Sequence, residues 1–161
     1  MDELLPGLAG SVDWLGVNYY SRDIVRFSPG APGMVERTPG PGPRTDVGWE
    51  VYPEGLERLL VAAYARYGLP TLVTENGVAD ARGVLRPGFL LAHAQAMARA
   101  ARRGVPVKGY FHWALLDNFE WADGFGPRFG LFRVDYATQA RTPAAGAETF
   151  AALARQTAER R

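Results

Sequence analysis

The sequence has no cysteine and only two histidines among its 161 residues. Without cysteine there is no disulfide, no thiolate metal site and no cysteine nucleophile. His93 and His112 do not make a metal-ligand cluster, and we predict that both have structural roles. The chain also lacks a phosphate-binding loop of the Gly-x-x-x-x-Gly-Lys type. We therefore expect neither a metal nor a cofactor.

An excess of charge of either sign is also absent. The 18 Lys and Arg residues face 17 Asp and Glu residues, for a net charge of +1. This balance produces no strong field, so we expect neither nucleic acid nor a membrane as a partner. No run of about 18 apolar residues occurs, which argues against a transmembrane helix. The acidic start, Met1 to Leu5, lacks the basic and apolar regions of a secretory signal, and we expect a cytoplasmic protein.

Apolar segments with strand and helix periodicity alternate along the chain. The pattern predicts strands over residues 11–20, 70–74 and 105–113, and helices over residues 53–67, 87–103 and 144–161. This order is typical of βα units and indicates an α/β fold with a parallel sheet.

The segments between these elements are predicted to be mostly irregular. Residues 24–27 either extend the first strand or form a short strand of their own. Residues 28–48 contain five Pro and five Gly, which favours a long loop over a helix. Residues 117–128 are predicted to form a loop rich in aromatic side chains, and residues 129–136 a small hairpin beyond it.

A carboxylate follows the second predicted strand in the block Thr74-Glu75-Asn76-Gly77. The carboxyl edge of a parallel sheet is where α/β barrels place their chemistry. The third strand runs into the segment 113–121, which interleaves aromatic rings with carboxylates. Carboxylates accept hydrogen bonds from sugar hydroxyls and indole rings cover the C–H faces of sugars, so this edge suits a carbohydrate ligand.

Several motifs in order resemble the C-terminal part of glycoside hydrolase family 1, the retaining β-glycosidases. They lie between about Val12 and Arg141, at residues 15–20, 48–56, 74–77, 109–121, 128–131 and 134–136. The resemblance implies about the last three βα units of a (β/α)8 TIM barrel, in a single partial-barrel domain over residues 1–161. A complete barrel takes ~250 residues. We therefore expect a fragment, from a truncated or split reading frame or a piece of a longer gene, with two open sheet edges that favour aggregation or self-association.

The resemblance assigns roles to three residues near the predicted sheet edge. Glu75 matches the nucleophile that forms a covalent glycosyl-enzyme. Tyr20 matches a phenol that donates to this carboxylate, and Asn18 matches an Asn that faces the site from the same strand. Taken alone, a Glu more often faces solvent and a strand Tyr more often packs in a core. The assignment therefore depends on the flanking motifs.

Four further residues match the part of the family's site that binds the glycone, the sugar on the non-reducing side of the scissile bond. Glu120 would accept hydrogen bonds from two adjacent hydroxyls, and the indole N–H of Trp121 would donate to another. Trp113 would stack under the ring, and Phe129 would line the pocket. The resemblance thus implies that the chain supplies the nucleophile and part of the glycone subsite of a β-glucosidase, with a β-glucoside or related sugar as substrate.

The family's general acid/base is the Glu of an Asn-Glu-Pro motif, and this motif is missing. Asn18, Asn76 and Asn118 are the only Asn residues, and none precedes Glu. We therefore expect the chain alone to be inactive. Two alternatives stay open: a 6-phospho-β-glycosidase of the same family, and a non-catalytic sugar-binding or assembly chain that pairs with a separate N-terminal half-barrel. Glu120 argues against the first, because a carboxylate repels a phosphate dianion.

Overall fold

The computed structural model describes residues 7, 10–38 and 40–158. In chain order the elements are β1 (Leu15–Asn18), β2 (Ile24–Phe27), β3 (Val35–Thr38), α1 (Pro53–Tyr67), β4 (Thr71–Gly77), α2 (Arg86–Arg102), β5 (Val107–Trp113), β6 (Phe132–Val134), β7 (Arg141–Pro143) and α3 (Ala147–Ala158). Single turns of 3₁₀ helix occur at Pro32–Met34 and Trp121–Asp123.

A parallel sheet in the order β1-β4-β5 forms the centre of the structure. Helix α1 connects β1 to β4, and helix α2 connects β4 to β5. The predicted βα alternation is therefore confirmed. The hairpins β2–β3 and β6–β7 are antiparallel and follow β1 and β5 respectively. All three parallel strands consequently end at the same edge of the sheet.

Helix α1 has the boundaries that its sequence predicts. Pro53 occupies the first turn, where its missing N–H costs nothing. Gly68 follows the last residue in a left-handed conformation, with φ of 66°, and donates its N–H to the carbonyl of Tyr64. Leu56 and Leu60 lie four residues apart on one face and are fully buried. Burial stabilises each by about 1.5–3 kcal/mol.

The hydrophobic core lies between the sheet and the helices. Val17 of β1 and Val73 of β4 pack against Leu56 and Leu60 of α1 and against Ala100 of α2. Because side chains alternate along a strand, the neighbours of Val17 and Val73 point to the other face of the sheet. Among the described residues, the helices thus cover the face that carries Val17 and Val73.

Three local predictions were wrong. The first strand covers only Leu15–Asn18 of the predicted residues 11–20. The predicted loop over residues 28–48 contains β3, which pairs with β2. The small hairpin does not lie within residues 129–136, because β6 pairs with the later strand β7. The end of the predicted helix 144–161, residues 159–161, lies outside the described part of the chain, as do residues 1–6.

In the part of the chain that the structure describes, no helix has the length and apolarity to cross a membrane. The same residues include no group of three or more His, Asp or Glu side chains arranged to hold a metal ion.

Candidate active site

Glu75 lies near the carboxyl end of the central strand β4 and is partly buried. The hydroxyl of Tyr20, which follows β1, donates a hydrogen bond to Oε2 of Glu75 over 2.7 Å. The hydroxyl of Thr74 donates to Oδ1 of Asn18 over 2.7 Å. The structure therefore brings the two predicted catalytic residues, Glu75 and Tyr20, together. Asn18 lies beside them and is hydrogen-bonded to Thr74.

An irregularity in the sheet allows Thr74 and Glu75 to approach the same neighbouring segment. Strict alternation would place two consecutive side chains on opposite faces of a strand. The register of β4 shifts between Val73 and Asn76 against β5, and the register of β1 against β4 shifts between Val17 and Asn18. Such shifts re-aim side chains next to functional sites. Here the shift turns Glu75 toward Tyr20.

The environment of Tyr20 keeps its phenol protonated. Burial raises the pKa of Tyr20 well above its ordinary value, and the hydrogen bond to Glu75 acts in the same direction. The negative charges of Glu75 and Glu120 raise this pKa further. The phenol therefore remains a donor to Glu75.

The two residues after Glu75 fix the end of β4 between its neighbours. Asn76 is fully buried; its amide donates to the carbonyl of Tyr19 over 2.7 Å and accepts from the hydroxyl of Tyr110 over 3.0 Å. Gly77 faces the backbone of Trp113, and a Cβ at this position would lie 1.9 Å from the Trp113 carbonyl oxygen. Both residues of the motif thus hold three strands in the arrangement that presents Glu75.

Aromatic rings surround the Tyr20 side of the site. Trp49, from the segment before α1, lies 5.4 Å from the Tyr20 ring between centroids, in an edge-on arrangement. Phe129 is 1% exposed and contacts both Tyr20, at 6.3 Å, and Trp49, at 6.2 Å. Phe129 is therefore a buried ring on which Tyr20 and Trp49 pack, whereas Trp49 itself remains 38% exposed.

Glu120 and Trp121 lie on the loop after β5. The backbone N–H of Glu120 donates to the carbonyl of Gly124 over 2.7 Å, which closes a tight turn. Trp121 has φ of 43° and is 82% exposed, so it stands outside the aromatic group around Tyr20. Trp113 ends β5 and is partly buried, and its peptide bond to Ala114 is cis.

Asp117 anchors this loop to the chain that follows it. Its side chain is 1% exposed and accepts from the N–H of Gly130 over 2.9 Å and of Val134 over 3.2 Å. Arg128 completes the set with an ion pair at 3.0 Å. The loop that carries Glu120 is therefore held at its base by a buried carboxylate with hydrogen-bond partners on both oxygens.

Sequence reasoning did not assign positions in the site to Trp49, Asn76 and Asp117. Each lies inside a motif quoted above, but motif membership alone does not distinguish a side chain at the site from one that supports it. An Asn within an apolar strand was a usable signal for Asn76, because a buried amide must be hydrogen-bonded.

Both histidines lie on the helix-covered side of the sheet, His93 within α2 and His112 of β5 against Phe150 of α3. His93 is fully buried and stacks on Phe89 at 3.8 Å between ring centroids, and burial lowers its pKa to about 4. Burial, with a contribution from the Arg86 charge, lowers the pKa of His112 to about 3. Nδ1 of His112 lies 3.3 Å from the Tyr110 hydroxyl. The prediction of structural roles agrees with these positions.

Comparison with known proteins connects this geometry to a family. A model of glycosyl hydrolase family 1 matches residues 2–159. The β-galactosidase of Pyrococcus woesei is 44% identical over 156 residues, which cover 86% of this chain and 30% of that protein. The β-glucosidase A of Thermotoga maritima is 43% identical over 140 residues, which cover 81% of this chain and 31% of that protein.

Solved structures extend the similarity to three dimensions. A structure of the family 1 β-glucosidase from Thermotoga maritima matches with a TM-score of 0.84 at 38% identity, over 89% of this chain and 35% of that chain. The same enzyme with glucoimidazole matches with a TM-score of 0.83 at 37% identity, over 89% of this chain and 34% of that chain. The chain thus spans about a third of the length of these relatives.

These matches confirm the predicted fold class, because the three parallel strands and their helices correspond to part of a (β/α)8 barrel. They also confirm the resemblance noted in the sequence, and this chain belongs to glycosyl hydrolase family 1.

Proposed function

We propose that this chain, as a single partial-barrel domain over residues 1–161, supplies the nucleophile and part of the glycone subsite of a retaining β-glucosidase. The observation that carries the proposal is the 2.7 Å hydrogen bond from the Tyr20 hydroxyl to Oε2 of Glu75, at the carboxyl edge of a parallel sheet. A carboxylate at this edge with one oxygen held by a phenol is oriented for attack on a bound sugar.

In the proposed reaction, one carboxylate oxygen of Glu75 attacks the anomeric carbon. The bond from that carbon to the aglycone oxygen breaks, and the departing oxygen takes a proton from a general acid. A glycosyl ester on Glu75 results. Water, deprotonated by the same acid/base group, then attacks the anomeric carbon, releases the sugar and regenerates the Glu75 carboxylate.

The glycone would be held by residues around the same edge. We assign Glu120 to two adjacent hydroxyls as acceptor, the indole N–H of Trp121 to a third as donor, and Trp113 to the face of the ring. Asn18 completes the set from β1, and Phe129, which is 1% exposed, supports the Tyr20 ring. The relatives support this class of substrate, since they are named as β-glucosidases and β-galactosidases and one was solved with glucoimidazole.

The carboxylate of Glu120 bears on the choice of sugar. The assignment above would place two carboxylates, those of Glu75 and Glu120, at the glycone. A 6-phosphate dianion in that region would be repelled. The assignment therefore favours a neutral glucoside over a 6-phospho-glycoside.

The general acid would come from the remainder of the barrel, because this chain has no Asn-Glu-Pro motif. Loss of general acid catalysis typically lowers rates by ~10²–10⁴-fold. The proposed function is therefore that of one portion of a site that a second portion completes.

A covalent chimera tests the proposal. The N-terminal portion of Thermotoga maritima β-glucosidase A that precedes the matched region would be fused to this full chain. We expect hydrolysis of an aryl β-glucoside with the β-anomer formed first, as followed by proton NMR, and loss of hydrolysis in Glu75→Gln but not in the exposed control Glu54→Gln. Inversion at the anomeric carbon, or full activity in Glu75→Gln, would overturn the proposed function.

A further inference from the structure

Tyr20 lies between two anchored neighbours in the chain. Strand β1 has ended before it, so its backbone is held from outside the strand. On one side, the backbone N–H of Tyr19 donates to the carbonyl of Glu75 over 2.9 Å. On the other side, the hydroxyl of Ser21 donates to the carbonyl of Glu50 over 2.9 Å. The position of Tyr20 therefore depends on Glu50, in the segment before α1, as well as on β4.

An ion pair between Arg22 and Glu50 lies next to the Ser21 contact. Nε of Arg22 is 2.6 Å from Oε2 of Glu50, and Nη2 is 3.2 Å from Oε1. The backbone N–H of Gly42 donates to the same Oε1 over 2.9 Å. Glu50 is 2% exposed, and a carboxylate so enclosed needs such donors for stabilisation. The pair with Arg22 is consequently a fixed part of the structure around Tyr20.

The surrounding chain is shaped to enclose this pair. A Cβ at Gly40 or at Gly42 would overlap the Glu50 carboxylate, so both positions require glycine. On the other side, the guanidinium of Arg22 lies 3.6 Å from the centroid of the Tyr52 ring, which adds a cation–π contact. Both partners are therefore held in place by further contacts of their own.

Glu50 also follows directly after the residue whose ring packs on Tyr20. The ring of Trp49 lies 5.4 Å from the Tyr20 ring between centroids. Thr45 fixes the backbone of Trp49, since its N–H donates to the Trp49 carbonyl over 2.9 Å and its hydroxyl accepts from the Trp49 N–H over 3.1 Å. A displacement of Glu50 would therefore disturb both the backbone after Tyr20 and the ring beside it.

We propose that Arg22 and Glu50 are positioning residues for the Tyr20 phenol. They act through Ser21 and Trp49, and hold the hydroxyl 2.7 Å from Glu75. Hydrogen bonds weaken steeply as their angle and length depart from the optimum, and small misplacements in an active site lower rates strongly. The effect on catalysis rests on the proposed function, whereas the positioning of Tyr20 does not.

A purely structural role for the pair has a different consequence. Residues 23–48, with the hairpin β2–β3, leave the sheet after Arg22 and return at Trp49. If the ion pair served only to close this long loop, its loss would lower stability. Any loss of rate would then be the same whether or not the Tyr20 phenol is present. The two roles are therefore separable by experiment.

Fluorine NMR tests the positioning without any turnover. The chimera described above would be labelled with 3-fluorotyrosine, and the signal of Tyr20 would be identified by its absence from Tyr20→Phe. We expect Arg22→Gln to shift or broaden this signal. The matched control is Arg26→Gln, which should leave the signal unchanged. Arg26 forms an exposed ion pair with Glu36 at 2.8 Å in the same loop, but this pair joins β2 to β3.

A double-mutant cycle on the same chimera tests the link to catalysis. Arg22→Gln should lower kcat for an aryl β-glucoside about tenfold when Tyr20 is present, and less than about twofold in the Tyr20→Phe background. Arg22→Lys keeps the charge but loses the planar fork, so its kcat should lie between those of the parent and Arg22→Gln. Arg26→Gln should leave kcat unchanged.

An unmoved Tyr20 signal in the folded Arg22→Gln chimera, or an equal loss of kcat in both backgrounds, would overturn the positioning role. Should Arg22→Gln fail to fold, Arg22→Lys replaces it in both measurements, and the same two results decide. A moved signal in a chimera that hydrolyses no glucoside would count against the proposed function alone. An active chimera with an unmoved signal would count against the positioning alone.

Discussion

The phenol of Tyr20 and the carboxylate of Glu75 are 55 residues apart in sequence and 2.7 Å apart in space. They meet because β1 and β4 are parallel neighbours whose carboxyl ends reach the same edge. Trp49 and Phe129 pack against the Tyr20 ring and restrict its position. The contact therefore depends on the fold of the described chain and requires no residue from outside it.

Replacement of Tyr20 by Phe should lower the catalytic rate of the chimera about 10- to 100-fold, since a hydrogen bond to a charged group is worth ~1.5–3 kcal/mol. The ring and its packing remain, so the stability of the fold should change little. Steady-state kinetics with an aryl β-glucoside measure the effect, and Tyr67→Phe, an exposed position, serves as the control. An unchanged kcat would show that the phenol does not act on the reacting carboxylate.

Glu120→Ala should separate sugar binding from nucleophilic attack. Lost contacts to hydroxyls that strengthen toward the transition state should lower kcat/KM for the glucoside. Glu75 remains, so an activated 2-fluoro glucoside should still form a covalent adduct. Intact-protein mass spectrometry checks this outcome, and complete failure of the folded protein to label, even at saturating reagent, would contradict the separation of the two roles.

The chain without a partner should show no turnover in the ordinary enzyme range of about 1–10³ s⁻¹. The reason is the missing general acid together with the missing part of the pocket. An assay of the purified chain with an aryl β-glucoside decides this point. Turnover in that range would mean that a group within this chain delivers the proton.

His93 should make stability fall as the solution becomes acidic. Burial lowers its pKa to about 4 in the folded state, against about 6.5 when unfolded. Between these values the unfolded chain binds a proton that the folded chain does not, so stability is lost as pH falls from about 6.5. We expect His93→Gln to reduce the loss between pH 7 and 4.5 by about 2 kcal/mol. Denaturant unfolding of the chimera at both pH values measures it, and an unchanged loss would contradict the assignment.

Periodicity and capping predicted the elements whose signals are local. Pro53, the spacing of Leu56 and Leu60, and Gly68 define α1 within the sequence itself. Strand β3 was missed because it lies in a segment rich in Pro and Gly and exists through its pairing with β2. Strand β7 was missed for a similar reason, since its partner β6 lies on the far side of a turn.

The site shows the same division between local and long-range information. The motif around Glu75 indicated a functional carboxylate, and its resemblance to a family pointed to Tyr20. No periodicity predicts the register shift beside Glu75, because the shift arises from how β4 fits between β1 and β5. The buried contacts of Asn76 and Asp117 likewise involve residues that are distant in sequence.

The central claim is that Glu75 is the nucleophile, and a trapped intermediate tests it most directly. The chimera would be incubated with a 2-fluoro β-glucoside that has an activated leaving group, digested and mapped by tandem mass spectrometry. The account predicts a glycosyl adduct on Glu75, absent from Glu75→Gln and present in the Glu54→Gln control. An adduct on Glu120, or on a residue of the N-terminal portion, would contradict it.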